Sequence, residues 1–504
     1  MRTPLQLAID PRQATPLFVQ IATSIADQIR LGRLASGDVL PGTRSLAREL
    51  GVDRDTVLAA YGDLEAQGFV VTVPRAGTVI AELGIPTRGG TRRDPRTQLG
   101  FALDRGPPAL VTPPAIANPP RGPFVASAAP RSDGLGAIRP IALATGVPDL
   151  RLVPGELIAR AYRRAMRRHP KVVFGYSTST LGHERLRAAI ASLVRETRGI
   201  AATADDVMVT RGSQMALDLV TRAVIRPGEV VAVEELGYQP AWASFERAGA
   251  KVVGVPVDAG GMDTAALERV CAKHPVRMIY ATPHHQFPTT AILAAGRRMQ
   301  LLALARRHRI AILEDDYDHE FHYEGRPVLP LASTDTSGNV VYVGTLSKVL
   351  APGLRLGFVI APRPLIDRLA RERYFIDRQG DLALELAIAE LIEDDELGRH
   401  VRKMRRIYHA RRDLLASLLA KTFGDRLAFR IPSGGMALWS EVAPPLDADR
   451  WVARGLTHGV AFQPGSSFSL TRRPVAAARF GFAACSEAEI QLAVRRLDKA
   501  AKLA

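Results

Sequence analysis

Cysteine is almost missing, with only Cys271 and Cys485 in a chain of 504 residues. Two thiols cannot build a disulfide framework, and neither stands at metal-ligand spacing from another donor, so both are expected to be apolar filling. No run of about 18 uninterrupted apolar residues occurs, which removes a bilayer-spanning helix. The opening MRTPLQLAIDPRQ lacks the charged-then-apolar order of a secretory signal. A cytoplasmic chain with no membrane partner is the expectation. Positive charge is also scarce where a nucleic-acid reader would be sought. The formal net charge is +16, yet residues 1–83 carry 8 basic against 9 acidic side chains, and residues 84–140 carry 8 against 3. Charge alone therefore does not point to DNA.

What is present divides the chain in three. A length of 504 residues, 47% of them hydrophobic, calls for two or more domains. In residues 1–83, Leu17, Ile21, Ile25 and Ile29 recur every four positions, predicting a helix stopped by Gly32. A short helix, Arg44 to Leu50, a tight turn at Gly51-Val52, and a longer helix from Asp53 to Gln67 spell a helix-turn-helix. Leu46, Ala47, Leu50, Val52, Val57, Ala60, Tyr61 and Leu64 would close its core. Phe69 to Val73 and Thr78 to Ala81, around Pro74-Arg75-Ala76-Gly77, read as a β-hairpin wing. Residues 84–140, with Pro107-Pro108, Pro113-Pro114 and Pro119-Pro120, read as an extended, semi-rigid linker. In residues 141–504 strand and helix patterns alternate, the mark of an α/β domain with a mostly parallel sheet.

The chemistry concentrates in Val341 to Gly357, VYVGTLSKVLAPGLRLG. A β-branched run ends in Gly344-Thr345-Leu346-Ser347 and delivers Lys348, with Arg355 seven residues on. Hydroxyls, an amine and a guanidinium at one strand end make a phosphate cradle beside a nucleophile. Pyridoxal phosphate needs such a set: an amine for a Schiff base, donors for its phosphate, and a carboxylate near the pyridinium nitrogen. The run Ile310 to Tyr317, ending Glu314-Asp315-Asp316-Tyr317, offers the carboxylate. Gly212, Ser213 and Gln214 open a helix after the strand Val207 to Thr210, where free N–H groups and the helix dipole attract an anion. Tyr238 follows another strand, Val230 to Glu234, and could stack on the ring. His284-His285 is not read as a metal pair, because neighbouring residues point apart and no carboxylate follows at ligand spacing. No metal is expected.

Together these motifs resemble the fold-type I aminotransferases, a family of pyridoxal 5'-phosphate-dependent transferases, from about Ile141 to Leu497. The resemblance implies that Lys348 bonds the cofactor aldehyde, that Arg355 holds the phosphate and that Tyr238 stacks on the ring. It implies that Tyr176 reaches the partner subunit's cofactor phosphate. Ala144 to Asp149, with Gly146, would close over a ligand carboxylate, and Arg479 in Ala478 to Phe482 would grip it in bidentate fashion. Phe287 departs from the family, standing where an asparagine usually holds the ring hydroxyl, and Thr290 stands at a glycine. The hydroxyl would then fall to Tyr317, His285 or Gln286.

The stretch Thr15 to Ala81 resembles the winged helix of GntR-type regulators. That resemblance places Arg44, Arg54 and Thr56 on double-stranded DNA, with Arg75 and Gly77 in the wing. Asp53 and Asp55, at the start of the reading helix, suit its dipole but repel phosphate. The words HQFP and EDDYDHEF behind a winged helix are similar to the MocR subgroup of GntR regulators. Membership would imply Asp315 on the ring nitrogen, Tyr317 on the ring hydroxyl, and Thr345, Ser347 and Arg355 on the phosphate. It would imply a transcriptional regulator that senses an amine, an amino acid or pyridoxal phosphate itself, as a head-to-tail homodimer with each reader on the other chain's large domain. The competing reading is a working aminotransferase with a vestigial DNA-binding domain.

Overall fold

A computed structural model describes residues 7, 9–10, 16–30, 33–66, 68–73, 77–81, 98–103, 140–143, 146–324 and 328–502. Three helices, α1 (Leu17–Arg30), α2 (Thr43–Leu50) and α3 (Arg54–Ala66), precede an antiparallel hairpin of β1 (Val70–Val73) and β2 (Gly77–Ile80). Gly51 ends α2 at φ +65°, its N–H on the Ala47 carbonyl. That left-handed residue turns the chain into α3 at no Cβ cost. Ile21, Ile25, Ile29, Leu46, Val57, Ala60 and Leu64 are buried, as their four- and three-residue spacing demands. Leu50 and Val52 are only half-buried, at the rim.

The reader's core is not closed by its own residues. Ala295 and Met299, from the first turns of the large domain's helix Ala295–His308, complete it. A Cβ on Gly199 would stand 3.0 Å from Cγ1 of Val19, so the surfaces touch at a second point. In the single chain the reader thus lies against the large domain.

Seven strands form the main sheet: β3 (Val207–Thr210), β4 (Val230–Glu234), β5 (Lys251–Val255), β6 (Val276–Ala281), β7 (Ala311–Asp316), β8 (Val340–Thr345) and β9 (Gly357–Ile360). Their order is β3-β9-β8-β7-β6-β4-β5. Only β9 runs antiparallel, between β8 and β3; the other neighbours pair in parallel. Helices cover both faces, which is why these strands are nearly continuous apolar runs. Parallel strands bring their C-terminal ends to one edge, where open α/β sheets bind ligands. A second, antiparallel sheet of β10 (Leu427–Phe429), β11 (Ala437–Val442), β12 (Gln463–Pro464) and β13 (Ala477–Gly481) has the order β10-β11-β13-β12.

Most of the stretch read as a linker, its Pro-Pro pairs included, lies outside the described residues. Residues 98–103 of that stretch are packed against the large domain. The Gly100 N–H donates to Gly338 O at 2.9 Å, and Phe101, 2% exposed, is built into the core against the main sheet. Leu99, Phe101 and Leu103 alternate as a half-buried strand would, a signal that the surrounding prolines obscured. Phe101→Ala should cost about 3–5 kcal/mol, through lost transfer energy and a cavity. The denaturant midpoint of the full chain measures this, and an unchanged midpoint would mean that the anchor carries no load.

Candidate functional site

Because β7 and β8 pair with Asp315 opposite Val343 and Asp316 opposite Gly344, the end of one strand and the turn after the other meet. Both Asp315 and Lys348 line a pocket enclosing ≈ 1020 Å³ of open space, its mouth included. Strand alternation decides which of three consecutive acids faces it. The Glu314 carboxylate accepts from the N–H groups of Leu331 at 2.7 Å and Ala332 at 2.9 Å. Asp316 accepts from the Tyr342 hydroxyl at 2.7 Å. Asp315 accepts from the Tyr280 hydroxyl at 2.9 Å through Oδ2 alone, and its buried Oδ1 has no partner among the described residues.

Burial pushes the Asp315 carboxyl up to about 7, against the Tyr280 hydrogen bond. An unsatisfied buried carboxylate oxygen is costly, and a protonated ring nitrogen would satisfy it. Lys348 is pushed down to about 8, chiefly by loss of water and then by the positive charge of Arg479. Near-neutral pH then leaves a useful fraction of free amine, the form that attacks an aldehyde. The rate of covalent cofactor capture should therefore rise with pH through about 8 and level off above it. Stopped-flow absorbance checks this; a rate that falls across the same range would contradict it.

At the opposite end, Gly212 (φ +77°) caps α4 (Ser213–Val224). A Cβ there would lie 3.0 Å from both terminal nitrogens of Arg355, so glycine lets the guanidinium lie against the helix start. Arg355 is itself left-handed at φ +51°, and its Nη2 donates to Arg211 O at 2.8 Å. Ser213, Gln214, Thr345 and Ser347 line the same pocket. The Ser347 N–H donates to Oγ1 of Thr345 at 3.1 Å. The Gln214 amide is tied to Ser244 Oγ at 2.7 Å and Pro240 O at 3.1 Å. Free helix N–H groups, hydroxyls and a guanidinium suit a phosphate dianion.

Aromatic side chains and Arg479 wall the space between. Phe287 meets Tyr238 edge-on with centroids 5.7 Å apart and Tyr317 at 5.9 Å. The Arg479 guanidinium lies 4.8 Å from the Phe287 ring centre, a cation–π contact. Phenylalanine at this position thus holds a cation instead of donating a hydrogen bond. Arg479 is 3% exposed, bonds to Tyr317, and has a buried Nε without a partner among the described residues. A Cβ on Gly146 would stand 3.0 Å from its Nη2, so the glycine leaves its donor edge open. The orphaned Asp315 and Arg479 atoms, the phosphate-shaped cradle and the softened lysine all fit pyridoxal phosphate with a carboxylated ligand beside it.

Other expected residues fall elsewhere. Of the three candidates for the ring hydroxyl, only Tyr317 lines the pocket. His285 does not; its Nδ1 is held 2.8 Å from Oδ1 of Asp318. Gln286 donates to the carbonyls of Leu236 and Phe287. Tyr176 is 82% exposed, under the Arg378 guanidinium at 4.7 Å. His284 and His285 do not point apart: their ring centres are 4.3 Å from each other, because the chain is sharply bent there. In the reader Arg44 and Arg54 are exposed, Thr56 is half-buried, and Gly77 is exposed at φ +90°. Arg75 lies outside the described residues.

Sequence reasoning missed Tyr280 and the pair Glu234–Thr282. Glu234 is buried and pushed up to about 7 by that burial; it accepts from Oγ1 of Thr282 at 2.7 Å. That oxygen accepts in turn from the Phe287 N–H at 2.9 Å, fixing the aromatic wall. Polar groups at the ends of otherwise apolar strands were the available signal.

The aminotransferase class I and II family profile matches residues 141–497, and that of the bacterial regulatory proteins of the gntR family matches residues 17–80. A protein of Rhizobium meliloti described as a probable rhizopine catabolism regulatory protein, MocR, is 33% identical over 95% of this chain and 92% of its own. Aromatic-amino-acid aminotransferase 1 of Thermococcus litoralis is 31% identical over 72% of this chain and 88% of its own. Among solved structures, the α-aminoadipate aminotransferase LysN of Thermus thermophilus, complexed with N-(5'-phosphopyridoxyl)-L-leucine, is 28% identical with a TM-score of 0.67 over 72% of this chain and 92% of that one. The kynurenine aminotransferase of Pyrococcus horikoshii has a TM-score of 0.68 at 28% identity over 72% and 91%. No described helix is long and apolar enough to cross a membrane. With a gntR-family domain ahead of an aminotransferase class I and II domain, the chain belongs to the MocR-like regulators, which join these two.

Proposed function

We propose that the protein regulates transcription by coupling occupancy of the pocket to the placement of its DNA reader. The carrying observation is the short path between them. Phe287 lines the pocket, and eight residues on begins the helix Ala295–His308, whose Ala295 and Met299 complete the reader's core. A ligand that moves Phe287 or the Arg479 guanidinium above it displaces the surface on which the reader rests. Such a ligand shifts DNA binding only by its difference in affinity for the two arrangements.

Within this reading, Asp315 takes the ring nitrogen, Tyr317 the ring hydroxyl and Tyr238 the ring face. The α4 start, with Gly212, Ser213, Gln214, Thr345, Ser347 and Arg355, takes the phosphate. When bound, pyridoxal phosphate supplies an aldehyde that exchanges one amine for another. Lys348 is the resident amine, and Arg479, over Gly146, selects ligands that carry a carboxylate. The effector class is an amino acid or amine, with the cofactor itself as the competing signal. Arg44, Arg54 and Thr56 face DNA, with Arg75 and Gly77 in the wing, and the division at residues 83 and 140 separates reader, connection and sensor.

A homodimer fits an exposed cluster on the large domain. Tyr176, Tyr374 and Phe375 are 82%, 51% and 87% exposed, and Arg378 lies over both tyrosines. Such a patch asks for a protein cover, and a second copy in head-to-tail arrangement would bring Tyr176 toward the other pocket.

Gel-shift titration of the DNA upstream of the neighbouring genes tests the proposal, run with cofactor-free protein, with loaded protein, and with a panel of amines and amino acids added. A shift in apparent affinity with pocket occupancy is expected; identical curves in all three states refute the coupling. Sustained product formation from amino donors and 2-oxoglutarate would instead favour the working aminotransferase.

A further inference from the structure

Beside the cofactor pocket, and not lining it, four histidines are packed together. They leave the ends of two neighbouring parallel strands: His284 and His285 follow β6, and His319 and His322 follow β7. All four are at most 4% exposed. Ring centres of His284 and His285 are 4.3 Å apart, those of His284 and His322 6.2 Å, and those of His285 and His322 6.5 Å.

The hydrogen bonds leave their lone pairs unused. Nδ1 of His284 lies 3.1 Å from Val328 O, and Nδ1 of His285 lies 2.8 Å from Oδ1 of Asp318. Each partner is an acceptor, so each Nδ1 carries the proton and each Nε2 keeps a free lone pair. Neither Nε2 has a partner among the described residues, and nor does Nδ1 of His322. A carbonyl or carboxylate holding the far nitrogen of a histidine is the arrangement that orients metal-bound imidazoles. Gly434 packs closely against Nε2 of His285, since a Cβ there would stand 2.5 Å from it. His322 also lines an outer cavity with Tyr323, His409 and five basic side chains, while its Nδ1 is itself buried. Two arginines of that cavity are already paired, Arg399 with Glu396 and Arg402 with Asp395.

We propose that His284, His285 and His322 together bind one divalent transition metal ion of the zinc, cobalt or nickel class. One ring nitrogen from each lies within 4.8 Å of the others. Bonds of about 2.0–2.1 Å in tetrahedral geometry need roughly 3.4 Å between ligand atoms, so small ring movements close the site. Three imidazoles without a thiolate suit these ions and not calcium or magnesium. A fourth position remains for water or another donor. The second grouping, His284 with Asp316 and His319, is the weaker set, since Nδ1 of His319 already sits 2.9 Å from Oδ2 of Asp316.

The test uses the untagged full chain, loaded with pyridoxal phosphate and stripped of metal by a chelator, then titrated with Co(II). The cobalt ligand-field bands lie apart from the cofactor's absorbance and report coordination without any activity. The expected result is one tetrahedral Co(II) per chain, displaced by Zn(II). Affinity should fall at least about 100-fold in His284→Gln and His322→Gln, and about 10- to 100-fold in Asp318→Asn, which alters the partner of the ligand His285. His319→Gln and His409→Gln should bind as the parent does. Because a buried variant can misfold, a second readout is the thermal midpoint, which Zn(II) should raise in the parent and not in His322→Gln. A parent chain that takes up no stoichiometric Co(II) leaves the cluster as a site for water only and overturns the proposal. Loss of binding in His319→Gln equal to that in His284→Gln overturns the ligand assignment.

Discussion

Lys348→Ala is expected to lose pyridoxal phosphate on gel filtration while the parent chain keeps it, with an apparent affinity lower by about 100-fold or more, ~2.7 kcal/mol. The argument is one of separable contributions. The phosphate cradle at the start of α4, the Arg355 guanidinium and the unpartnered Oδ1 of Asp315 are untouched by the substitution. Non-covalent binding therefore survives, and what disappears is the bond to Nζ together with the visible band that reports it. The spectrum of the variant with cofactor should match that of free aldehyde. A parent-like visible band in Lys348→Ala would show that another amine makes the bond. Loss of the cofactor should also remove the occupancy-dependent part of DNA binding while leaving the reader's basal affinity in place.

Arg479→Gln is expected to keep the cofactor and to lose carboxylated ligands. Arg479 is buried with donors to spare, and truncating one partner of a desolvated, hydrogen-bonded charge pair costs about 2–5 kcal/mol. At about 1.4 kcal/mol per factor of ten, amino-acid affinity should fall by roughly 30- to 4000-fold. The corresponding amines, which lack the carboxylate, should bind with little change. Calorimetric titration of both ligand types against parent and variant reads the contrast directly; equal losses for the two types would remove Arg479 from ligand recognition. A second effect has a definite sign. The Arg479 charge helps to hold the Lys348 amine down near 8, so its removal should move the pH profile of cofactor capture upward. A profile that moves downward would mean that Arg479 acts on Lys348 in some other way.

The two halves of the molecule were legible to different depths. A strand ending in Gly344-Thr345-Leu346-Ser347-Lys348 and an acid cluster ending another strand are local facts, and parallel sheets bring such ends together by construction. Lys348, Asp315, Arg355 and the α4 start accordingly share one pocket. The four-residue repeat of α1 and the turn at Gly51 are equally local. His285 failed for the opposite reason: its partner, Asp318, lies 33 residues away, and no local pattern says which of two adjacent histidines turns toward a cofactor. The Pro-rich composition of residues 84–140 pointed to an extended connection, yet Phe101 is fastened in the core. The alternation of Leu99, Phe101 and Leu103 is too short, in so proline-rich a stretch, to betray its burial.

By itself the amino-acid sequence determined the element types, the order of reader, connection and α/β domain, and the chemistry of the cofactor pocket. Those depend on neighbours within a few residues and on rules that every parallel sheet obeys. Tertiary structure alone decided that Phe287 carries the Arg479 guanidinium, and that Ala295 and Met299 complete the reader's core. It alone brought ring nitrogens of His284, His285 and His322 within 4.8 Å of one another. Each of those outcomes turns on where side chains from separate strands and helices end up, and that is set by register and packing over the whole domain, not by spacing along the chain.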